Sequence, residues 1–460
     1  MGIIRMKIAF VFGKGLDGCG VEKVGYEWQR YDPQNIHVYS LAERSFVRSG
    51  GHIKNSISFK PNEIPTIAKK LNDEYDIVVL NSYPSPMHAR ESVVSFYKDL
   101  VLKLEKPIVV SMMHEIKRAN FDRIPMHLAI ANASDFVFNF STKTDYSVDV
   151  SKVLTNKKIG ERIARMKLPF TVSDYDKYVI PFEQKDKRII YTGRWTTMKD
   201  PARLIDLYPL RQDLNMAIHG IERSIGAKFD IIDRSNYKAK FEKYDDSSSI
   251  IQSFGPYEYQ DGMKLLSSAM FGYSGFRLPR EPHNYGDRFE YTQMEMMAVG
   301  SVAMFDKHYG ENNIDDNGKR FIDNPQIAVW SDREDLQDTM DQLLNIATNK
   351  VLYEQYVEAS RAFVSQETDA SIVIPKMLEH ITKFGKQTDK WTHNQLLEKC
   401  YGQDISQEFE AMMNEYTPAL GCKEVEEKSL SYFVNKKRIV MKSLKAKTKA
   451  TSTGSLEEFF

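Results

Sequence analysis

Short apolar runs alternate with amphipathic stretches of helix length along most of this chain. In the first half the runs fall at 7–12, 36–39, 76–80, 107–111 and 136–140. They are continuous in their apolar character rather than alternating with polar residues, as strands buried on both faces are. Helix-length segments between them complete the grammar of a parallel sheet with helices on either side. A charged, less regular connector at about 165–187 leads to a second set of runs at 188–192, 215–219, 250–254, 271–274 and 302–305. The pattern predicts an α/β chain of two Rossmann-like, doubly wound domains, 1–170 and 171–385. From 386 the strand pattern stops. The last stretch is polar and lysine-rich, then rich in Thr, Ser and Gly, and predicts a C-terminal extension, helical or in part disordered.

A chain of 460 residues is too long for one ordinary core, which agrees with two domains. Lysine plus arginine and aspartate plus glutamate both number 63, so any nucleic-acid site must be a local patch rather than a global excess of charge. Cys19, Cys400 and Cys422 are scattered and odd in number, which supports neither a disulfide framework nor a zinc site. No apolar run approaches the roughly 18 residues of a membrane span, and the start runs straight into a strand pattern. A soluble cytoplasmic protein with no membrane partner is expected.

Two glycine-marked strand ends carry the candidate chemistry. Gly13, Gly15, Gly18, Cys19 and Gly20 follow the first run and precede a helical stretch. Glycines there let backbone N–H groups and the positive end of the following helix approach a phosphate or sugar. Read alone, this run also fits a dinucleotide fingerprint with Glu43 on a ribose, and a nicotinamide-dependent dehydrogenase is the rival. A tight turn without any ligand is the third reading. In the second half Gly193, Arg194 and Lys199 open the corresponding turn and put two cations where a pyrophosphate could be clamped. Farther on, Asp287, Glu290 and Glu295 open another helix, with Asp287 and Glu295 about two turns apart on one face. Carboxylates there accept hydrogen bonds from ribose and sugar hydroxyls. A second phosphate clamp favours a nucleotide-sugar enzyme over a dehydrogenase.

Several motifs then recur in order: Gly15 to Val21, Ser45 to Arg48 with His52, Gly193-Arg194 with Lys199, Gly220 to Ser224, and Glu290 to Glu295. Over roughly 7–385 the chain resembles the family of DNA alpha-glucosyltransferases of T-even phages. That resemblance implies a GT-B fold whose two domains face a cleft, an N-terminal acceptor domain for DNA and a C-terminal donor domain for the nucleotide sugar. It implies a UDP-sugar donor, retention at the anomeric carbon, and 5-hydroxymethylcytosine in duplex DNA as acceptor, a modification that protects phage DNA from host nucleases. Where the family has His-Asp this chain has His114-Glu115, and 278–285 looks little like the family. Glucose and arabinose both stay open as the transferred sugar.

On this reading Arg194 and Lys199 stabilise the departing diphosphate, and Glu295 holds the ribose with Asp287 or Glu290 near the sugar or its phosphate. By resemblance, Gly220 and Glu222 help position the donor, and His114 and Glu115 contact the sugar and the acceptor hydroxyl. Arg44, Arg48, His52 and Lys54, with Lys117, Arg118 and Arg123, form the candidate DNA patch, although an ordinary solvated surface reads equally well. A non-catalytic DNA-binding protein of this fold is the alternative from another class. Asp174 and Asp176 have the Asp-x-Asp form of metal-dependent transferases but lie in the connector, so no bound metal is expected and Mg enters only as an activator. No tightly bound cofactor is expected. The end of the chain, with Leu456, Phe459 and Phe460 behind a lysine-rich arm, resembles peptides that bind the phage sliding clamp.

Overall fold

The computed structural model describes residues 6–13, 15–16, 20–41, 52–53, 55–82, 95–114, 133–140, 161–193, 201, 203–219, 251–254, 259–275 and 290–387. These form two compact units, one running to Met166 and resuming at Ile374, the other spanning Lys167–Val373.

The first unit is built on seven strands: β1 (Ile8–Phe12), β2 (Ile36–Leu41), β3 (Ser56–Phe59), β4 (Ile77–Ser82), β5 (Ile108–Met113), β6 (Phe136–Asn139) and β7 (Ile163–Arg165). They pair in the order β3-β2-β1-β4-β5-β6-β7, and every pair is parallel. The chain steps outward from β1 to β3 on one side, then returns beside β1 to lay down the other side. This reversal places the C-terminal ends of β1 and β4 at the switch point where open α/β sheets bind ligands. The helix Gly20–Tyr31 is seated unusually close on β1. A Cβ on Gly25 would lie 2.8 Å from the Phe12 ring and 3.1 Å from Phe10, so only glycine permits that approach. Trp28 of the same helix is fully buried, its ring 5.7 Å from that of Phe10.

The second unit repeats the plan with β8 (Asp186–Thr192), β9 (Asn215–His219), β10 (Ile251–Phe254), β11 (Ala269–Ser274), β12 (Val302–Asp306) and β13 (Val329–Ser331). Their order is β10-β9-β8-β11-β12-β13, again parallel throughout, with the switch point between β8 and β11. Its core gathers Ile189, Leu204, Met216, Phe271, Met304, Val329 and Leu343. The helix Tyr291–Ala298 is buried on nearly every side. It lies so close to β11 that a Cβ on Gly272 would sit 2.9 Å from Met296 Cβ.

All ten strands expected from the apolar runs are present. Three further strands, β3, β7 and β13, were not legible. They have four, three and three residues and each is the outermost strand of its sheet. A strand of that length shows no period of its own, and of the four outermost strands only β10 is marked by an apolar run. The helix Ala370–Phe384 carries Pro375 within it, and the return to the first unit falls beside that residue. Its last turns pack on β6, with the His380 ring 5.6 Å from Phe136 and 5.7 Å from Phe138. Among the described residues no helix is long and apolar enough to cross a membrane.

Because Met296 Cβ is fixed to its helix backbone, Gly272→Ala must displace the helix Tyr291–Ala298 rather than merely turn a side chain. Overpacking of this kind costs about 1–3 kcal/mol. Chemical denaturation followed by a probe in the second unit should show a loss of that size, and unchanged stability would mean that helix and strand are less tightly seated than this contact requires.

Candidate active site

In the second unit the strand order brings Gly193, His219 and Glu290 to one edge of the sheet. Gly193 follows β8 with φ +150, a backbone region that side-chain-bearing residues rarely adopt. Its N–H donates to the carbonyl of His219 at 3.1 Å, which ties the ends of β8 and β9 together. His219 is buried, and burial together with the Arg188 charge pulls its ring down to about 4. It is therefore neutral at physiological pH and adds no charge to this edge. Glu290 caps the helix Tyr291–Ala298, and its backbone N–H donates to Gln293 Oε1 at 2.8 Å.

Glu295 lies one turn into that helix and is only 8% exposed. Tyr259, from the helix Tyr259–Ser268, donates its hydroxyl to Glu295 Oε1 at 2.8 Å. The Tyr175 hydroxyl lies 2.7 Å from that of Tyr259. Since the Tyr259 proton points to the carboxylate, Tyr175 is the donor in this second bond. Burial, reinforced by the neighbouring Glu295 charge and then by Tyr175, pushes the Tyr259 hydroxyl well above the ordinary phenol range, so it stays a proton donor. Tyr175 is stacked on Phe170, with centroids 4.8 Å apart. The result is a carboxylate whose orientation is set from behind, a suitable acceptor for a pair of sugar hydroxyls.

A buried ionic group flanks the same edge. Arg203, 3% exposed, opens the helix Arg203–Leu207 and reaches Asp306 at the end of β12 at 3.8 Å. It donates to Ser331 Oγ at the end of β13 at 3.0 Å, and Arg333 pairs with Asp306 at 3.3 Å. Removing one member of such a group strands a buried charge, at a cost of about 3–5 kcal/mol. The group therefore locks the chain that emerges after the 194–200 segment onto the ends of β12 and β13.

In the first unit, Gly20 is the first residue of the helix Gly20–Tyr31. His114 follows β5, with its Nε2 2.7 Å from Asn81 Oδ1 at the end of β4 and its ring stacked on Phe140, centroids 4.8 Å apart. His52 is half-buried, its ring 5.8 Å from Tyr26, and the next residue, Ile53, donates its N–H to Glu22 Oε1 at 3.1 Å. Of the Asp-x-Asp pair in the connector, Asp176 forms an ion pair with Arg361.

The other expected site residues lie outside the described residues: Gly18, Cys19, Glu43, Arg44, Arg48, Lys54, Glu115, Lys117, Arg118, Arg123, Arg194, Lys199, Gly220, Glu222, Asp287, Leu456, Phe459 and Phe460. Sequence reasoning missed Tyr259, Tyr175 and Asn81. A lone asparagine at the end of the apolar run Ile77–Ser82 is a usable signal, because a buried amide needs partners. Nothing in the chain pattern links Tyr259 to Glu295.

No family model matches the sequence. The chain is 25% identical over 424 residues to the DNA alpha-glucosyltransferase of Enterobacteria phage T4, covering 82% of this chain and 100% of that protein. Among solved structures it resembles an alpha-glucosyltransferase in complex with UDP and a 13-mer DNA containing a HMU base. The TM-score is 0.70 at 19% identity, over 82% of this chain and 99% of the other. It also resembles an alpha-glucosyltransferase in complex with UDP-glucose and DNA containing an abasic site, with TM-score 0.70 at 20% identity over the same shares. The two parallel sheets are thus those of the GT-B glycosyltransferase fold. Fold and sequence likeness agree in one direction: the chain is similar to the DNA alpha-glucosyltransferases of T-even phages.

Proposed function

We propose that this protein is a DNA glycosyltransferase that moves a sugar from a UDP-sugar onto the hydroxymethyl group of 5-hydroxymethylcytosine in duplex DNA. The observation that carries the reading is the buried Glu295 carboxylate, held by Tyr259 on the helix that follows the switch-point strand of the second sheet. Such a preset carboxylate in the second unit suits the ribose hydroxyls of a nucleotide sugar. The relative's name, and the UDP, UDP-glucose and DNA bound in the similar structures, support the same reading.

The transition state of such a transfer carries positive charge on the sugar and growing negative charge on the departing diphosphate. Fixed cations at the diphosphate therefore act more strongly in the transition state than on the bound donor. Arg194 and Lys199 take this role, each supplying about 2–4 kcal/mol, the scale of one preorganised electrostatic partner. Asp287 and Glu290 lie toward the sugar, and Glu222 helps position the donor. His114 and Glu115 meet the transferred sugar and the acceptor hydroxyl. Retention follows if the hydroxyl passes its proton to the leaving phosphate on the face it attacks. Arg44, Arg48, His52, Lys117 and Arg118 supply the phosphate contacts of DNA binding. Glucose and arabinose are the candidate sugars, and the setting is an infected host cell, where the modification shields phage DNA from nucleases.

Incubation with UDP-glucose or UDP-arabinose and with hydroxymethylated or plain duplex DNA, followed by mass analysis of the digested nucleosides, tests the proposal. One hexose or pentose should appear on hydroxymethylcytosine and none on cytosine. No added sugar from either donor would sink it. Tyr259→Phe leaves Glu295 in place but removes the bond that orients it, so UDP affinity should fall by roughly 10- to 150-fold, the scale of one hydrogen bond to a charged group. Calorimetric titration with UDP reads this directly, and an unchanged affinity would remove Glu295 from the ribose site.

A further inference from the structure

Asn81 is 1% exposed and sits between two groups. Its Nδ2 donates to the carbonyl oxygen of Val21, in the first turn of the helix Gly20–Tyr31, at 2.7 Å. Its Oδ1 faces His114 Nε2 at 2.7 Å. A backbone carbonyl only accepts, so the amide atom facing Val21 must be the NH2 group, and the opposite orientation would set two oxygens against each other. That leaves Oδ1, itself only an acceptor, toward the ring. The ring nitrogen facing it therefore carries the proton.

From this geometry we infer that Asn81 is a positioning residue which holds neutral His114 as the Nε2–H tautomer, with Nδ1 as the nitrogen able to accept a hydrogen bond. Phe140 fixes the plane of the same ring from its face, at 4.8 Å between centroids and 28° between planes. The ring thus has its Nε2 bonded and its plane set. The consequence deepens the function proposed above and rests on it. A neutral His114 meets a sugar or acceptor hydroxyl by accepting from it through Nδ1, and does not donate. The arrangement also couples two parts of the site. One buried amide joins the helix after the glycine-rich turn, the end of β4 and the residue after β5.

The tautomer is read without any substrate. In full-length protein labelled with ring-15N histidine, at a pH where the His114 ring is neutral, Nε2 should show the shift of a protonated nitrogen and Nδ1 that of an unprotonated one; loss of the signal in His114→Gln assigns the pair. Protonated Nδ1 with bare Nε2 in the wild-type protein would overturn the inference. Asn81→Asp keeps an acceptor toward the ring and should keep Nε2 protonated, whereas Asn81→Leu removes it and should shift the population toward the other tautomer. Asn81→Leu should also lower kcat by roughly 10- to 100-fold while the KM for the UDP-sugar stays within about twofold, the usual scale for losing an orienting partner. An equal tautomer balance in wild type and Asn81→Leu would also refute it. His114→Gln with full activity would instead remove His114 from the chemistry and leave the tautomer assignment standing, so the two failures are separable.

Discussion

In both units every ladder is parallel, and a parallel sheet runs all of its strands toward one edge. The turns that leave that edge enter helices by their N-terminal ends, where backbone N–H groups point outward and the dipole favours negative charge. The order reverses beside the first strand of each sheet, between β1 and β4 and between β8 and β11, and a crevice results only there. Five described residues with a candidate role follow strands, Gly20 after β1, His114 after β5, Gly193 after β8, and Glu290 and Glu295 in the helix after β11, whereas His52 precedes β3. The tight seats of two helices, at Gly25 over Phe12 and Gly272 under Met296, bring those helix starts close to their sheets. Direction of pairing thus decides where chemistry can be placed, and close packing decides how firmly.

Polar groups at those edges are buried, and this is what gives them a fixed aim. A hydrogen bond to an ionised carboxylate is worth about 1.5–3 kcal/mol, more than a neutral one. The bond from Tyr259 to Glu295 belongs to this class, and its donor is itself aligned by Tyr175. Asn81 does for an imidazole what Tyr259 does for a carboxylate. Arg203 and Arg333, each paired with Asp306 at the end of β12, are the ionic version. Supporting residues of this kind, rather than the groups that meet substrate, hold geometry through a reaction cycle.

The fold was legible because strands covered on both faces must be apolar along nearly their whole length, and runs such as Ile8–Phe12 and Val302–Asp306 show it plainly. Edge strands β3, β7 and β13 escaped because three or four residues paired on one side need not be apolar throughout, although β10, an edge strand of the same length, was marked by its apolar run. The return of the chain to the first unit at Ile374 also escaped. The amphipathic pattern of Ala370–Phe384 says that one face is buried but not against which sheet. In the second unit the positions of Gly193 after a strand and of Glu295 within the following helix were legible, as placements in the fold. Tyr259 was not, because 36 residues separate it from Glu295 and only the folded sheet brings hydroxyl and carboxylate together.

If the second unit binds a nucleoside diphosphate at the C-terminal edge of its sheet, beside Gly193 and Glu295, then UDP must protect that edge and not the opposite edge of the same sheet. Hydrogen–deuterium exchange of the full chain with and without UDP measures this most directly. Slower exchange is expected in peptides that begin at Gly193 and in those that span Tyr291 to Glu295, with no change in those covering Asp186 to Arg188 and Gly300 to Val302 at the opposite edge. Protection at the opposite edge, with none around Glu295, would contradict that placement.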